Sequence, residues 1–275
     1  MNRKKLIRSM VYWAFLAPIV IVILFPYAVM TITALKSATE VHDPNWLLRE
    51  IHWQNFPEMW ESTGFGPALF NSIYVSGLST LLTIAVSVPA AYAVSRFRFY
   101  GRGAFQQFLL VSQMLSPIVL VIGLFRLVVS LGLADSLNAL IVIYAAFNIA
   151  FCVWMLQSYF ATIPRDLEEA AWMEGAGRWR TLVSVFLPLA VPAIVVTSIF
   201  TFINGWNEFV IALTVLRRED NYTLPIRVFN LVAGRYTVDW NYVMAAAFVA
   251  SVPVAVIFAW LQRYLVRGLA LGAVK

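Results

Sequence analysis

EAAWMEGAGRWRTLVSVFLP, residues 169–188, is a polar island between two long apolar runs of a chain that is otherwise soluble in lipid. The flanking stretches, residues 136–164 and 181–207, contain no Asp, Glu, Lys or Arg. A spanning helix needs about 20 apolar residues to cross a hydrocarbon core of roughly 30 Å. Each flank is therefore long enough to cross a bilayer, and the island sits at a membrane surface. Working outward, residues 11–35, 62–95, 104–125 and 240–262 are also free of charge, the second long enough to include an interfacial lead-in. The composition agrees: 61% hydrophobic and 12% charged residues, with a mean hydropathy of +0.78, exceed what a water-soluble domain of 275 residues carries. The expected fold is all-α and polytopic, one transmembrane domain over residues 1–275. Its six helices are expected at about 11–35, 67–95, 104–129, 137–160, 183–212 and 241–263, with a loop at 161–180 and a tail at 264–275.

An even number of spans puts both termini on one side, and the basic residues indicate which. With the N-terminus inside, the cytoplasmic set is Arg3, Lys4, Lys5, Arg8, Arg96, Arg98, Arg102, Arg165, Arg178, Arg180, Arg263, Arg267 and Lys275, 13 of the 20. Acidic residues run the other way, with Asp166, Glu168, Glu169 and Glu174 inside and ten outside or facing out. The net charge of +6 is thus a topology signal, with no nucleic-acid partner in it. Arg3, Lys4 and Lys5 precede an apolar run as in a secretory leader. However, 25 charge-free residues exceed a cleavable core and no small-residue cleavage site follows, so an uncleaved first helix is expected.

Chemistry is sparse. A single Cys152 with His42 and His52 gives no disulfide framework and no zinc spacing, so no metal ligand is expected, and Cys152 reads as a small buried hydrophobe. No nucleophile with a base and no paired aspartates lie within the spans, so no catalytic residue is expected. Pro89, Pro117, Pro188, Pro192 and Pro253 each remove a donor from a predicted helix, which either lines a pathway or is an ordinary kink. Glu208 is the one acidic residue near a span, at the outer part of the fifth. With Asn204, Trp206 and Asn207 it marks a candidate solute path, unless its role is to hydrogen-bond across helices. An ion-coupled secondary transporter would place ionisable residues near mid-membrane, and the other five spans have bare interiors.

The island has a local logic. Pro164 ends the fourth span; Asp166 is expected to cap a helix starting at Leu167, with Glu169 closing a capping box and Gly175 stopping the helix. Leu167, Ala170, Ala171 and Glu174 fall on one face, and its alanines permit close approach to a partner groove. A helix lying on the membrane would favour basic residues, whereas Glu168, Glu169 and Glu174 would meet anionic headgroups.

The spacing Glu169-Ala170-Ala171, three residues, Gly175, nine residues, then Val185-Phe186-Leu187-Pro188 resembles the coupling loop of binding-protein-dependent ATP-binding-cassette importers. The likeness covers nearly the whole chain and points to the maltose-transporter-type, carbohydrate-uptake permeases. Trp53-Gln54-Asn55-Phe56 and Asn71-Ser72 look like external signatures of that family. Residues 91–99 (AYAVSRFRF) with Gly101-Arg102 look like its first cytoplasmic turn, and Trp206-Asn207-Glu208-Phe209 and residues 268–275 (GLALGAVK) complete the match. Phe56 for Tyr, Val185 for Ile and Glu174 for Asp are mild departures.

The resemblance implies a type I importer permease fold in a bacterial inner membrane, with both termini cytoplasmic. It implies three kinds of partner besides the lipid bilayer: a second homologous permease, two ATPase subunits and an extracytoplasmic solute-binding protein. Asp166, Glu168, Glu169, Ala170, Ala171, Glu174, Gly175 and Gly177 would couple to the ATPases, which the tail residues Gly268, Gly272 and Lys275 would also reach. Arg217, Arg227, Arg235 and Tyr236 would meet the binding protein. No phosphate-binding GxxxxGK[ST] loop occurs, so ATP and magnesium belong to the partners and no cofactor is expected on this chain. The implied solute is a sugar or sugar derivative, with polyols and glycerol phosphate derivatives as the alternative. Trp46, Trp53, Trp60, Trp206 and Tyr236 would either stack on sugar rings or belt the membrane interface.

Overall fold

A computed structural model of the chain describes residues 3–272 except 44, 47 and 234–236, with backbone alone at 3–11 and 263–272. The helices are α1 (Arg3–Ala34), α2 (Asn55–Ser62), α3 (Phe65–Arg96), α4 (Arg102–Met114), α5 (Pro117–Ser130), α6 (Leu137–Thr162), α7 (Arg165–Met173), α8 (Arg178–Thr181), α9 (Leu187–Trp206), α10 (Val210–Val215), α11 (Leu224–Asn230) and α12 (Trp240–Gly272). No strand occurs among the described residues. Five helices are long and apolar enough to cross a membrane, and six spans result when α4 and α5 count as one broken span.

The chain divides into two compact units, residues 1–66 with 227–252 and residues 67–226 with 253–275. In the first, α1 exposes large apolar side chains all round, from Tyr12 and Trp13 to Phe25 and Tyr27, as a helix does when lipid is its solvent. The Asn55 amide donates to the carbonyls of Ala34 (2.7 Å) and Lys36 (2.8 Å), satisfying acceptors that the end of α1 leaves open. Asn241 Nδ2 donates in turn to Asn55 Oδ1 at 3.1 Å.

In the second unit, α6 packs against α4, α9 and α10. One apolar cluster joins Val88, Tyr92, Leu156, Phe160, Leu182 and Phe186; another joins Val75, Leu140, Tyr144, Ile211 and Val215. Cys152 is fully buried, its Sγ 3.1 Å from Thr201 Oγ1.

Three boundaries differ from the expected spans. The third span is not one helix: α4 and α5 meet at 97°. A proline disfavours helical geometry in the residue before it, and Leu115 (ψ 116°) and Ser116 (ψ 131°) are both extended ahead of Pro117, the first residue of α5. The fifth helix, expected over 183–212, begins with a π-helical turn at Leu182–Phe186 and stops at Trp206, with α10 a separate piece. Pro188 cannot donate to Ser184, so the wider turn falls where the regular ladder would be broken. The last helix continues through the expected tail to Gly272, whereas Pro89, Pro192 and Pro253 lie inside uninterrupted helices.

Candidate functional site: the α7 loop and the broken-helix cleft

The island folds as α7, a turn and α8. Its start corrects the sequence reading: α7 begins at Arg165 with Pro164 in the cap position, and neither Asp166 nor Glu169 forms the expected capping box. Proline before the helix supplies extended geometry without a side-chain cap. Its end is as expected. Gly175 has φ +81°, Gly175 N–H donates to Trp172 O (2.9 Å) and Ala176 N–H to Ala171 O (2.9 Å), a Schellman stop that only a residue at ease in left-handed geometry permits. Gly177 is extended and opens α8, its carbonyl accepting the Thr181 N–H at 2.9 Å.

Glu168 does not face outward with the other acidic residues of the loop. Its side chain is 5% exposed and that of Arg96, at the end of α3, 4%. Tyr92 Oη donates to Glu168 Oε1 at 2.9 Å, and Arg96 Nε lies 3.7 Å from Glu168 Oε2. Arg96 Nη2 also donates to the carbonyls of Phe160 (2.8 Å) and Ile163 (2.5 Å), and the guanidinium lies 4.8 Å from the Phe186 ring centroid. One buried cation thus ties together the end of α3, the end of α6, α7 and the π turn. Burial is tolerable because the charge is paired with Glu168 and Nη2 is bonded to two carbonyls, while the buried Nε, 3.7 Å from Glu168 Oε2, makes no hydrogen bond of its own. Asp166, Glu169, Ala170, Glu174 and Gly177 are exposed and Ala171 is half-buried. Leu167, Trp172, Trp179 and above all Met173, 89% exposed, extend an apolar surface beside the acidic one.

The breaks in α4–α5 and α9–α10 open onto one cleft of about 270 Å³, lined by Ser112, Gln113, Leu115, Pro117, Tyr144, Phe147, Asn148, Asn204, Gly205, Glu208 and Ile211. Glu208 lies beyond α9, just ahead of α10. Its Oε1 accepts the N–H of Ile211 (2.9 Å), and its Oε2 accepts that of Ala212 (3.0 Å) and the Tyr144 hydroxyl (2.8 Å). It satisfies the donors that α10 would otherwise leave open. Of the candidate path residues, Asn204 and Glu208 line the cleft, Asn207 is exposed away from it, and Trp206 is buried with its ring stacked on Phe202 at 5.7 Å.

The segment after α10 is held by a residue that the sequence reading missed. Asp135 Oδ1 accepts the N–H of Arg217 (2.9 Å) and of Arg218 (3.1 Å), Oδ2 pairs with the Arg218 guanidinium, and Asn221 Nδ2 donates to the Asp135 carbonyl (2.9 Å). Partial burial pushes the Asp135 carboxyl up, but these donors outweigh it and bring it down to about 2. The only signal was an Asp in a Gly-containing linker between two spans, a setting in which aspartate binds its neighbours' backbone. On the other side, Asn71 Nδ2 donates to the carbonyls of Asp220 (2.8 Å) and Tyr222 (3.1 Å), and Leu224 N–H donates to Ser72 Oγ (2.7 Å). The Asn-Ser signature is therefore a clasp. Arg217 lies over the Phe125 ring at 5.1 Å, and Arg227 is half-buried beside Gly64. Gly268 and Gly272 belong to the last turns of α12, while Arg235, Tyr236 and Lys275 fall outside the described residues.

A long all-α membrane chain, a Schellman-stopped helix between the fourth and fifth spans, and a clasped segment ahead of the last span define a membrane subunit. Residues 83–271 match the family described as binding-protein-dependent transport system inner membrane component. The chain belongs to that family of multi-pass inner-membrane permeases, in its maltose-transporter-type branch. It is 34% identical over 275 residues to a probable ABC transporter permease protein YurM of Bacillus subtilis, covering all of this chain and 91% of that protein. It is 37% identical over 211 residues to the trehalose/maltose transport system permease protein MalG of Thermococcus litoralis, covering 77% and 76% of the two chains. With the trehalose transport system permease protein SugB of Mycobacterium tuberculosis the identity is 31%, over 98% of each. The fold matches the crystal structure of a bacterial ABC transporter involved in the import of the acidic polysaccharide alginate, with a TM-score of 0.81 at 24% identity over 96% of this chain and 98% of that one.

Proposed function

We propose that this chain is one of two permease subunits of an ATP-driven importer that carries a sugar or sugar derivative, delivered by an extracytoplasmic binding protein, into the cell. ATP and magnesium would be held by a pair of ATPase subunits docked on the α7–α8 loop, with both termini on that cytoplasmic side. The observation that carries this reading is α7 itself. Glu168 is fixed inward by Tyr92 and Arg96, which leaves Glu169, Ala170 and Glu174 outward beside exposed Leu167, Trp172 and Met173. Small and acidic residues on a braced helix suit insertion into a basic, concave partner surface. The relatives named for trehalose and maltose transport support a sugar as the solute, and the clasped segment around Arg217 and Arg218 offers a charged surface to the binding protein.

Breaking an interfacial charge pair costs about 2–5 kcal/mol, enough to weaken docking by more than tenfold. Glu169→Ala is expected to reduce copurification of the ATPases and sugar uptake, and Glu169→Lys to reduce both further by adding repulsion. Parental uptake by Glu169→Lys with the ATPases still bound would remove α7 as the docking site.

A further inference from the structure

We infer that the cleft between the two broken helices is a solute-contacting site selective for neutral, hydroxyl-rich rings, and that it rejects anionic sugars. The inference rests on the sugar-importer reading above and adds the charge class of the cargo. Its wall holds one carboxylate, Glu208, and no Lys, Arg or His among the lining residues. The carboxylate is spoken for: a carboxylate has about four acceptor positions, and the N–H groups of Ile211 and Ala212 with the Tyr144 hydroxyl fill three. Glu208 thus contributes negative charge to the wall while offering a solute little to bind. An anionic group entering the cleft would lose water, meet a like charge and find no cation.

Neutral hydroxyls fare differently. Asn148 Nδ2 donates to Tyr144 O (2.8 Å) and Asn204 Nδ2 to Asn148 Oδ1 (3.2 Å), which fixes the two amides side by side. The second N–H of each amide and Asn204 Oδ1 have no intrachain partner among the described residues, and Gln113 faces the same space with only a long bond, 3.4 Å, to Phe147 O. Paired amides offer donors and acceptors together, as vicinal hydroxyls require, while Leu115, Pro117, Phe147 and Ile211 offer apolar walls for a ring's C–H faces. At about 270 Å³, the space lies just below the ~300 Å³ at which pockets for drug-sized ligands begin, which suits one ring at a time. Likeness in fold to an importer of an acidic polysaccharide therefore does not extend to the charge of the cargo here.

The test is uptake by the assembled importer with its binding protein in proteoliposomes. The probes are radiolabelled maltose and trehalose against a glucuronate-containing disaccharide and glycerol 3-phosphate. Asn204 is exposed, so Asn204→Ala leaves packing intact; copurification of the partner subunits and ATPase activity check this. Loss of one hydrogen bond corresponds to about threefold to tenfold. The expected result is uptake of a neutral sugar only, with KM raised by that factor in Asn204→Ala and Gln113→Ala, and uptake reduced most in Asn204→Asp, which adds a second negative charge. Uptake of an anionic probe as readily as a neutral one, or parental KM in all three variants, would overturn the site while leaving the sugar-importer reading in place. No uptake of any sugar by an assembled, ATP-hydrolysing complex would overturn both.

Discussion

Taking a carboxylate out of water costs several kcal/mol unless it is paired. In α7 that cost arises at Glu168, buried against Tyr92 and Arg96, and not at its exposed neighbour Glu169. The two glutamates should therefore fail differently. Removing Glu168 strands the Arg96 guanidinium, a loss of about 3–5 kcal/mol. Glu168→Ala should lower the melting temperature of the purified chain with no ATPase present, whereas Glu169→Ala should leave melting unchanged and weaken only ATPase copurification. Equal melting temperatures for the two variants would contradict this division. Asp135 makes a pH prediction. Its carboxyl ordinarily titrates near pH 4 and is held down to about 2. It therefore contributes stability that is fully present above about pH 4 and fades as pH falls toward 2. Asn tolerates the left-handed backbone of Asp135 (φ 61°). Asp135→Asn should thus lower stability at pH 7 and flatten the acid limb, read as proteolysis of the 217–221 segment between pH 6 and 2.5. An unchanged acid limb would contradict the role assigned to Asp135.

At the scale of elements, the clearest dependence lies at the stop of α7. A Cβ on Gly175 would meet nothing within 4 Å, yet φ is +81°, so any defect on substitution arises from backbone geometry and not from crowding. Left-handed geometry costs an ordinary residue about 1–2 kcal/mol, less for Asn and more for β-branched side chains. ATPase copurification and sugar uptake should therefore fall in the order Gly175→Asn, Gly175→Ala, Gly175→Val, and a compensating charge change on the ATPase should not rescue the valine variant. A loss graded by side-chain volume, with Gly175→Ala milder than Gly175→Asn, would point to contact instead. This stop was legible in the sequence because a glycine after an acidic, alanine-rich turn has one common meaning. The break between α4 and α5 was only half legible. Pro117 announced a missing donor, but a proline inside an apolar run can equally sit in an unbroken helix, as Pro89, Pro192 and Pro253 do. What separates these cases is whether neighbouring elements hold the residues before the proline extended, and that is tertiary information. The end of α9 at Trp206 was hidden for the same reason, since nothing local says that Glu208 will bond the first N–H groups of a separate α10.

At the scale of the molecule, hydropathy alone located the spans because every backbone N–H and C=O in lipid must be bonded within its own helix, which forces long charge-free runs. Side-chain partners were not legible: Arg96 with Glu168 and Asp135 with Arg217 and Arg218 are separated by 72, 82 and 83 residues or nearly so in register, and no local pattern links them. Orientation stands between these extremes, since it follows from the 13 basic residues assigned to one side but leaves no mark on the internal contacts. It can be tested with thiol chemistry. Cys152 is buried and 3.1 Å from Thr201 Oγ1, so Cys152→Ser keeps a hydrogen-bonding group there and gives a cysteine-free parent expected to retain its fold. In that background a cysteine at Ser62, exposed at the end of α2, should react with a membrane-impermeant maleimide in intact cells. One at Arg102, at the start of α4, should react only after permeabilisation. The prediction is strict because a single membrane-crossing helix cannot leave both sites on one face: Ser62 precedes α3, and Arg102 follows it. Labelling of Arg102→Cys and protection of Ser62→Cys in intact cells would invert the topology and place the α7 loop outside, away from any source of ATP. Labelling at both would instead remove α3 as a span.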